Sequence, residues 1–294
     1  MAKNEQKVKL QHYVPRVYLK NFSKNNGKEY YIYCFDKQNN KSFQTNIKDI
    51  AFEKEFYDKI SEEQVTEKTL RAIETEVGGV IPKLLKIKDI DKLSDEEKDI
   101  LSEFIAYQMI RVKETREALK DTAKQFFKKY EDQLAPELKN QVLDSMKEES
   151  LRNIHKDIIG EMNEFKKRIK DMKWILVINK SRFPFWTSDN PVAEYNAIDL
   201  SPYGNIGLEC LGFEMHIPIH PKIVLIICDP RTFSHEPTNK VIKDYRQVVR
   251  ERDYQVRYST RFIFSNEANF SFAQMMLREN PKIGDPNRKR VTIN

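Results

Sequence analysis

The chain has 294 residues, of which 39% are hydrophobic, 11% aromatic and 33% charged. This composition excludes a disordered chain and predicts a globular protein with a sizeable core. The formal net charge of +6 is a mild basic excess, which permits contact with nucleic acid without requiring it.

Cysteine usage and hydropathy indicate the compartment. Cys34, Cys210 and Cys228 lie far apart and form no CxxC pair, so free thiols and a reducing environment are expected. The N-terminus lacks the apolar core of a signal peptide, and no apolar stretch is long enough to span a bilayer. We therefore expect a cytoplasmic protein that does not interact with a membrane.

The first part of the chain, residues 10–58, has the residue pattern of β structure. "EYYIYCFD" at 29–36 is rich in residues that suit a pleated surface, and turn-like "NNGK" and "KQNNK" flank it. "KSFQTNIKDIAFEKEFYD" can supply one or two further strands.

Residues 61–172 are expected to be helical. In the first helix, apolar residues recur every three or four positions at Leu70, Ile73, Val77, Val80, Ile81, Leu84 and Leu85. Gly78–Gly79 and Pro82 are expected to kink or split it. Residues 93–130 give the clearest helix, opened by a Ser94–Glu97 capping box. A third helix is predicted across 136–170. Its strongly charged surface and thin apolar stripe suggest an arm that contacts a protein partner or forms a homodimer.

The pattern returns to β over residues 173–266. "WILVINK" at 174–180, "FEMHIPIHPKIVLIICD" at 213–229 and "RYSTRFIFSN" at 257–266 all read as strands, and the apolar run in the second is typical of a central strand. The residues after 280 form a basic tail that we expect to be loose. The sequence thus predicts one α+β domain over 1–294, with a mixed or antiparallel sheet built from N- and C-terminal strands and about three long helices inserted between.

Polar residues inside apolar segments mark the candidate site, because a buried polar group must find a partner. "LQHYVPRVYLKNFS" at 10–23 embeds His12 and Arg16 among aromatic residues. Arginine can bind an anion while a nearby imidazole moves a proton. The alternative is a histidine that is satisfied within the core.

The helices contribute a second set of polar residues. Glu74 adjoins the first apolar stripe, and Gln108, Arg111 and Arg116 follow in "FIAYQMIRVKETRE". Gln108 and Arg111 share a helix face because they are three residues apart. A structural Glu74–Arg111 ion pair between packed helices and a functional role remain open alternatives.

"TSDNP" at 187–191 is the third element of the candidate site. Ser188, Asp189 and Asn190 directly follow the apolar "FPFW", and loops at strand ends often carry sites. Asp189 could accept a proton, bind a metal ion or only form an Asx turn. No HxH or DxD spacing supports a divalent cation between Asp189 and Glu74, so no cofactor is predicted.

These segments together resemble a known family. Five segments occur in an order that resembles the bacterial family catalogued as domain-of-unknown-function family 4238. In chain order they are "QHYVPRVYLKNFS", "TLRAIE", "FIAYQMIRVKETRE", "FWTSDNPV" and "IPIHPKIVLIICD". The resemblance covers roughly residues 10–265. It implies importance for His12, Pro15, Glu74, Gln108, Arg111, Ser188, Asp189 and Pro191. It implies no established reaction.

The sequence contains no GxGxxG, GxxxxGK[ST], GxSxG or HExxH motif, which argues against nucleotide kinases, Rossmann dehydrogenases and α/β-hydrolases. The leading hypothesis is an intracellular nucleic-acid-acting enzyme, in the manner of an RNase-like toxin or anti-phage defence effector, acting on RNA in preference to DNA. His12 would be general acid or base, Arg16 and Arg111 would stabilise phosphate charge, and Glu74 and Asp189 would orient or deprotonate.

Further residues are assigned to the substrate in this hypothesis. Gln108, Arg116, Ser188 and Asn190 would bind it with Arg16, and the basic stretch 246–261 would follow the phosphate backbone. Two alternatives remain: a non-enzymatic protein-binding or homo-oligomerising module, and a small-molecule or nucleotide-binding sensor. Convergence of His12, Glu74, Arg111 and Asp189 on one open pocket would favour the enzyme.

Overall fold

Strands lie in the N-terminal and C-terminal parts of the chain and helices in the middle, as the computed structural model shows for residues 7–199 and 207–291. The strands are β1 Leu10–His12, β2 Lys24–Asn26, β3 Glu29–Asp36, β4 Lys41–Asn46, β5 Phe52–Lys54, β6 Lys173–Asn179, β7 Thr187–Ser188, β8 Ala193–Asn196, β9 Phe213–His220, β10 Ile223–Cys228, β11 Asn239–Ile242 and β12 Phe262–Ser265. The helices are α1 Arg16–Leu19, α2 Val65–Ile87, α3 Asp95–Ile110, α4 Lys113–Tyr130, α5 Pro136–Ser145, α6 Glu148–Gly160, α7 Asn163–Asp171, α8 Tyr245–Tyr258 and α9 Ser271–Glu279. The protein is therefore α+β, as predicted.

The described strands form three sheets rather than the single core sheet that the sequence suggested. β11, β6, β10, β9 and β8 form one mixed sheet, whose central strand β10 is buried along its whole length. The N-terminal and C-terminal strands meet in a second sheet, where β12 pairs antiparallel with β3 and places Phe264 opposite Cys34. β4 continues this sheet beside β3, and β1 and β5 form a separate two-stranded sheet.

The side chain of Gln11 fixes the first strand in place. Its Oε1 accepts hydrogen bonds from the N–H groups of Tyr57, at 2.7 Å, and of Asp58, at 3.2 Å. Its Nε2 donates to the Asp58 carbonyl at 2.9 Å. The alternation of a β-strand turns Gln11 inward, so its neighbour His12 projects to the other face, opposite Phe52.

The helical part of the chain is divided more finely than predicted. α2 begins at Val65 and continues through Gly78, Gly79 and Pro82 without a break, because its apolar stripe packs against α3. The capping box at Ser94 and Glu97 is present as predicted. The predicted helix 93–130 ends at Ile110 and restarts at Lys113, where the Tyr57 hydroxyl donates to the Arg111 carbonyl at 2.7 Å.

The charged region 136–170 consists of three short helices, α5, α6 and α7, rather than one. α7 packs against α3, and Leu151 and Ile159 of α6 are buried, so much of this region belongs to the protein body. Of these three helices, only α5 has no buried residue. Among the residues described, no helix is both long and apolar enough to cross a membrane.

The C-terminal part also differs from the expectation. The basic stretch 246–261, which lies in the region 173–266 that was predicted as β structure, is mostly the helix α8. Arg252 is buried there and donates from Nε and Nη2 to the Pro184 carbonyl at 3.0 and 2.8 Å, so it is unavailable to a phosphate backbone. Within the tail, Arg288 and Arg290 both pair with Glu114, at 2.6 and 3.1 Å.

Candidate functional site

A cleft of about 590 Å³ opens beside β1 and α2, and four of the residues singled out in the sequence line it. We call it the cationic cleft. Its lining residues are Val8, Leu10, His12, Arg16, Lys48, Glu67, Arg71, Glu74 and Arg111. Residues from separate parts of the chain thus meet at one open pocket, but Asp189, which the enzyme hypothesis also placed there, does not line it.

Four elements supply the polar side chains of this cleft except Lys48, which lies in the turn after β4. β1 provides His12, and Arg16 is the first residue of α1. Glu67, Arg71 and Glu74 occur on α2 at spacings of four and three residues, so they lie on one helix face. Arg111 follows the last residue of α3.

Arg111 is the fixed cation of the cleft. It is only 3% exposed, and its Nη1 lies 2.9 Å from Glu74 Oε1. Its Nη2 donates to the His12 carbonyl at 2.7 Å. Burial opposes the guanidinium charge, but Tyr57 and Glu74 outweigh burial and raise the pKa of Arg111. The Glu74–Arg111 ion pair that the sequence suggested is therefore present, and it lies in the wall of an open cleft.

His12 is a neutral proton acceptor in this setting. Burial, followed by the charges of Arg16 and Arg111, lowers the pKa of its imidazole to about 4. Its ring packs against Phe52, with the ring centroids 5.4 Å apart. Its Nε2 atom is buried and has no hydrogen-bond partner within the protein. A hydrogen-bond donor of a ligand can satisfy this nitrogen only if the groups that cover it move.

Glu67 is the residue that the sequence interpretation missed. Burial raises the pKa of its carboxyl group to about 7, and the nearby Glu74 acts in the same direction while Arg111 opposes it. Its Oε2 atom also lacks a hydrogen-bond partner. Glu67 therefore exchanges a proton near neutral pH. The spacing of Glu67, Arg71 and Glu74 on one face of α2 was the available signal.

The charge of the cleft favours an anionic ligand. Four basic side chains face two carboxyl groups, and one of those carboxyl groups, Glu74, is paired with Arg111. Arg16 and Arg71 are exposed, and Lys48 has only a long contact of 3.4 Å with Glu29. A phosphate group fits this arrangement, because cations positioned in a partly enclosed cleft concentrate anions.

Gln108 and Arg116 lie in the protein interior and do not line the cleft. Gln108 is buried and donates from Nε2 to the Tyr13 carbonyl at 3.2 Å. The Arg116 guanidinium stacks on the Phe56 ring and donates from Nε to His155 Nδ1 at 3.1 Å. Neither side chain is therefore placed to bind a substrate in the cationic cleft.

The Ser188–Asp189–Asn190 loop lies outside the cationic cleft. Asp189 is 1% exposed and accepts hydrogen bonds from the N–H groups of Thr260, Arg261 and Phe262 at 2.8, 2.8 and 2.9 Å. Burial raises the pKa of Asp189, although the bond from Phe262 opposes this. We therefore assign Asp189 a structural role.

The neighbours of Asp189 fasten the same loop to α8. The Ser188 hydroxyl lies 2.8 Å from Gln255 Oε1, and Asn190 donates to the Tyr258 carbonyl at 3.1 Å. Asp189 does not line the cleft that contains Glu74. Across residues 7–199 and 207–291, no three His, Cys, Asp or Glu side chains form a group that could hold a metal ion.

Comparison with known proteins supports the family resemblance that the sequence motifs indicated. The family model described as "Protein of unknown function (DUF4238)" matches residues 10–269, which include every lining residue of the cationic cleft except Val8. No curated protein and no solved structure matches the chain. The match extends over most of the 294 residues, and the chain belongs to the DUF4238 family.

Proposed function

We propose that this protein is an RNA-cleaving enzyme whose active site is the cationic cleft. One observation carries the proposal: His12 and Glu67 line the same cleft, and their environments displace their pKa values in opposite directions, to about 4 and about 7. Near neutral pH, the imidazole is then unprotonated while part of the carboxyl population is protonated. Such a pair supplies a general base and a general acid.

The proposed reaction uses the ribose 2′-hydroxyl as the nucleophile. His12 Nε2 accepts the 2′-hydroxyl proton, and the 2′-oxygen forms a bond to the adjacent phosphorus. The bond from phosphorus to the 5′-oxygen breaks, and Glu67 donates its proton to that leaving oxygen. The products are a 2′,3′-cyclic phosphate and a free 5′-hydroxyl.

The arginines stabilise the charge that develops on the phosphate. Arg111 is held by Glu74 and the His12 carbonyl, so it needs little reorganisation during the reaction. Arg16 is exposed at the cleft, so its side chain can move to contact the phosphate of the substrate. Bidentate arginine contacts are well suited to phosphate oxygens. Glu74 is then a positioning residue for Arg111.

RNA is favoured over DNA because the nucleophile belongs to the substrate. An RNase of this type would act in the cytoplasm as a toxin or anti-phage defence effector, and the three free cysteines suit a reducing compartment. A protein-binding or homodimerising role of 136–170 is a second proposal. Leu138 and Leu143 of α5, exposed at 49% and 46%, favour it.

Cleavage of one RNA oligomer and of the same oligomer carrying a single 2′-deoxynucleotide tests the function. We expect the purified protein to cleave the RNA and to leave a 2′,3′-cyclic phosphate. It should not cleave the phosphodiester bond on the 3′ side of the 2′-deoxynucleotide. Arg16→Ala should weaken cleavage, while Arg278→Ala, an exposed residue outside the cleft, should not. Absence of cleavage, or equal cleavage at the deoxy position, would refute the proposal.

A further inference from the structure

A second cleft adjoins the cationic cleft along α2. It has a volume of about 900 Å³ and is lined by residues 61–64, by one face of α2 from Glu67 to Thr75, and by Lys7 and Val8. We call it the adjoining cleft. Val8, Glu67 and Arg71 line both clefts, so these side chains form a shared wall.

The walls of the adjoining cleft are held by hydrogen bonds within the protein. Gln64 adopts a left-handed backbone conformation, with φ of 57°, and its side chain bonds to both the N–H and the carbonyl of Val8 at 2.8 Å. Lys7 donates to the Ile60 carbonyl at 2.7 Å, and the Glu67 N–H donates to Asp58 at 2.8 Å. The cleft is therefore formed before a ligand arrives.

The two clefts differ in charge. The adjoining cleft carries as many acidic as basic side chains: Glu62, Glu63 and Glu67 against Lys7, Lys68 and Arg71. The cationic cleft carries four basic side chains against two acidic ones. A balanced polar surface suits an uncharged group rich in hydrogen-bonding atoms, and this volume is typical of pockets for small organic molecules.

The shared wall sets the direction in which a substrate would lie. Glu67, which protonates the leaving 5′-oxygen in the proposed function, belongs to both clefts, whereas His12 lines only the cationic cleft. A phosphate between the two residues would therefore direct its leaving group past Glu67 into the adjoining cleft. The attacking ribose would remain on the His12 side.

We infer, resting on the proposed function, that the adjoining cleft binds the nucleoside on the 3′ side of the scissile phosphate. The substrate class is then single-stranded RNA or a dinucleoside phosphate, whose leaving group is a whole nucleoside. A phosphodiester with a small leaving group makes no contact with the adjoining cleft. Binding energy from such a remote group is used to raise the rate of the chemical step.

Filling the adjoining cleft tests this inference. Ala72 is exposed on α2 and lines the adjoining cleft only, so Ala72→Trp places an indole there. We expect this variant to lose about tenfold or more in kcat/KM for uridylyl-3′,5′-adenosine and to stay within about twofold of wild type for uridine 3′-(methyl phosphate). Lys86→Trp, exposed near the end of the same helix, is the matched control and should change neither rate.

Comparing the two substrates distinguishes failure of the proposed function from failure of the assignment of the adjoining cleft. If the wild-type protein cleaves neither substrate, the proposed function fails, and this inference fails with it. If the wild-type protein cleaves both and Ala72→Trp changes the two rates by the same factor, or changes neither, only the assignment of the adjoining cleft is overturned. Thr75→Trp, in the same cleft, gives the same discrimination if Ala72→Trp does not fold.

Discussion

Replacing His12 by alanine is expected to reduce the rate of RNA cleavage by about 10²- to 10⁴-fold, the range typical of a lost general base. The substitution removes the unpaired Nε2 atom, to which the proposed mechanism assigns the 2′-hydroxyl proton. It leaves Arg111 in place, because Arg111 bonds to the His12 backbone carbonyl and not to its side chain. The measurement is the single-turnover cleavage rate of a labelled RNA at neutral pH.

Two controls separate loss of catalysis from loss of folding. His235→Ala removes an exposed histidine outside the cleft and should keep the wild-type rate. His12→Ala should keep a cooperative thermal transition, because it removes the ring contact with Phe52 and an Nε2 atom that has no hydrogen-bond partner within the protein. A folded His12→Ala variant that cleaves at the wild-type rate would remove His12 from the mechanism.

Replacing Asp189 by alanine is expected to lower the free energy of unfolding by about 3 kcal/mol or more. Its carboxylate accepts three backbone N–H bonds, from Thr260, Arg261 and Phe262, and the substitution leaves these donors without an acceptor in the interior. Unpaired buried donors cost their full desolvation penalty. Urea unfolding followed by circular dichroism measures the change.

A surface carboxylate provides the comparison for Asp189. Asp253 forms an ion pair with Arg257 on α8 at 2.7 Å, and Asp253→Ala should cost less than about 1 kcal/mol. The fraction of Asp189→Ala that remains folded should cleave RNA at the wild-type rate, because Asp189 does not line the cleft. Unchanged stability would contradict the structural role of Asp189, and a folded variant that has lost cleavage would support the catalytic role suggested by the sequence.

The elements with local signals could be predicted from the sequence. The Ser94–Glu97 capping box and the apolar stripe of α2 depend on neighbouring residues, and both are present. The end of α3 at Ile110 could not be predicted, because no glycine or proline marks it. A tertiary contact, the Tyr57 hydroxyl on the Arg111 carbonyl, occurs there instead.

The candidate site was predictable to a similar extent. His12, Arg16, Glu74 and Arg111 stand out as polar residues within or next to apolar segments, and they meet in one cleft. Glu67 lies among other charged residues of "SEEQVTEK", and its raised pKa arises from burial that only the folded chain produces.

The sequence suggested a catalytic role for the Ser188–Asp189–Asn190 loop for a related reason. A carboxylate that bonds to backbone N–H groups has the same local sequence as a catalytic one at a strand end. The three N–H donors to Asp189 come from residues 260–262, about seventy positions away in the chain. Sequence alone therefore could not separate the two roles.

The pH dependence of kcat/KM for RNA cleavage tests the pairing of His12 with Glu67 most directly. His12 must be unprotonated, so the rate should rise with pH through about 4, and Glu67 must be protonated, so the rate should fall through about 7. Glu67→Gln should lower the rate and abolish the fall near neutral pH. A wild-type rate that stays constant up to pH 8, or an alkaline fall that persists in Glu67→Gln, would contradict the account.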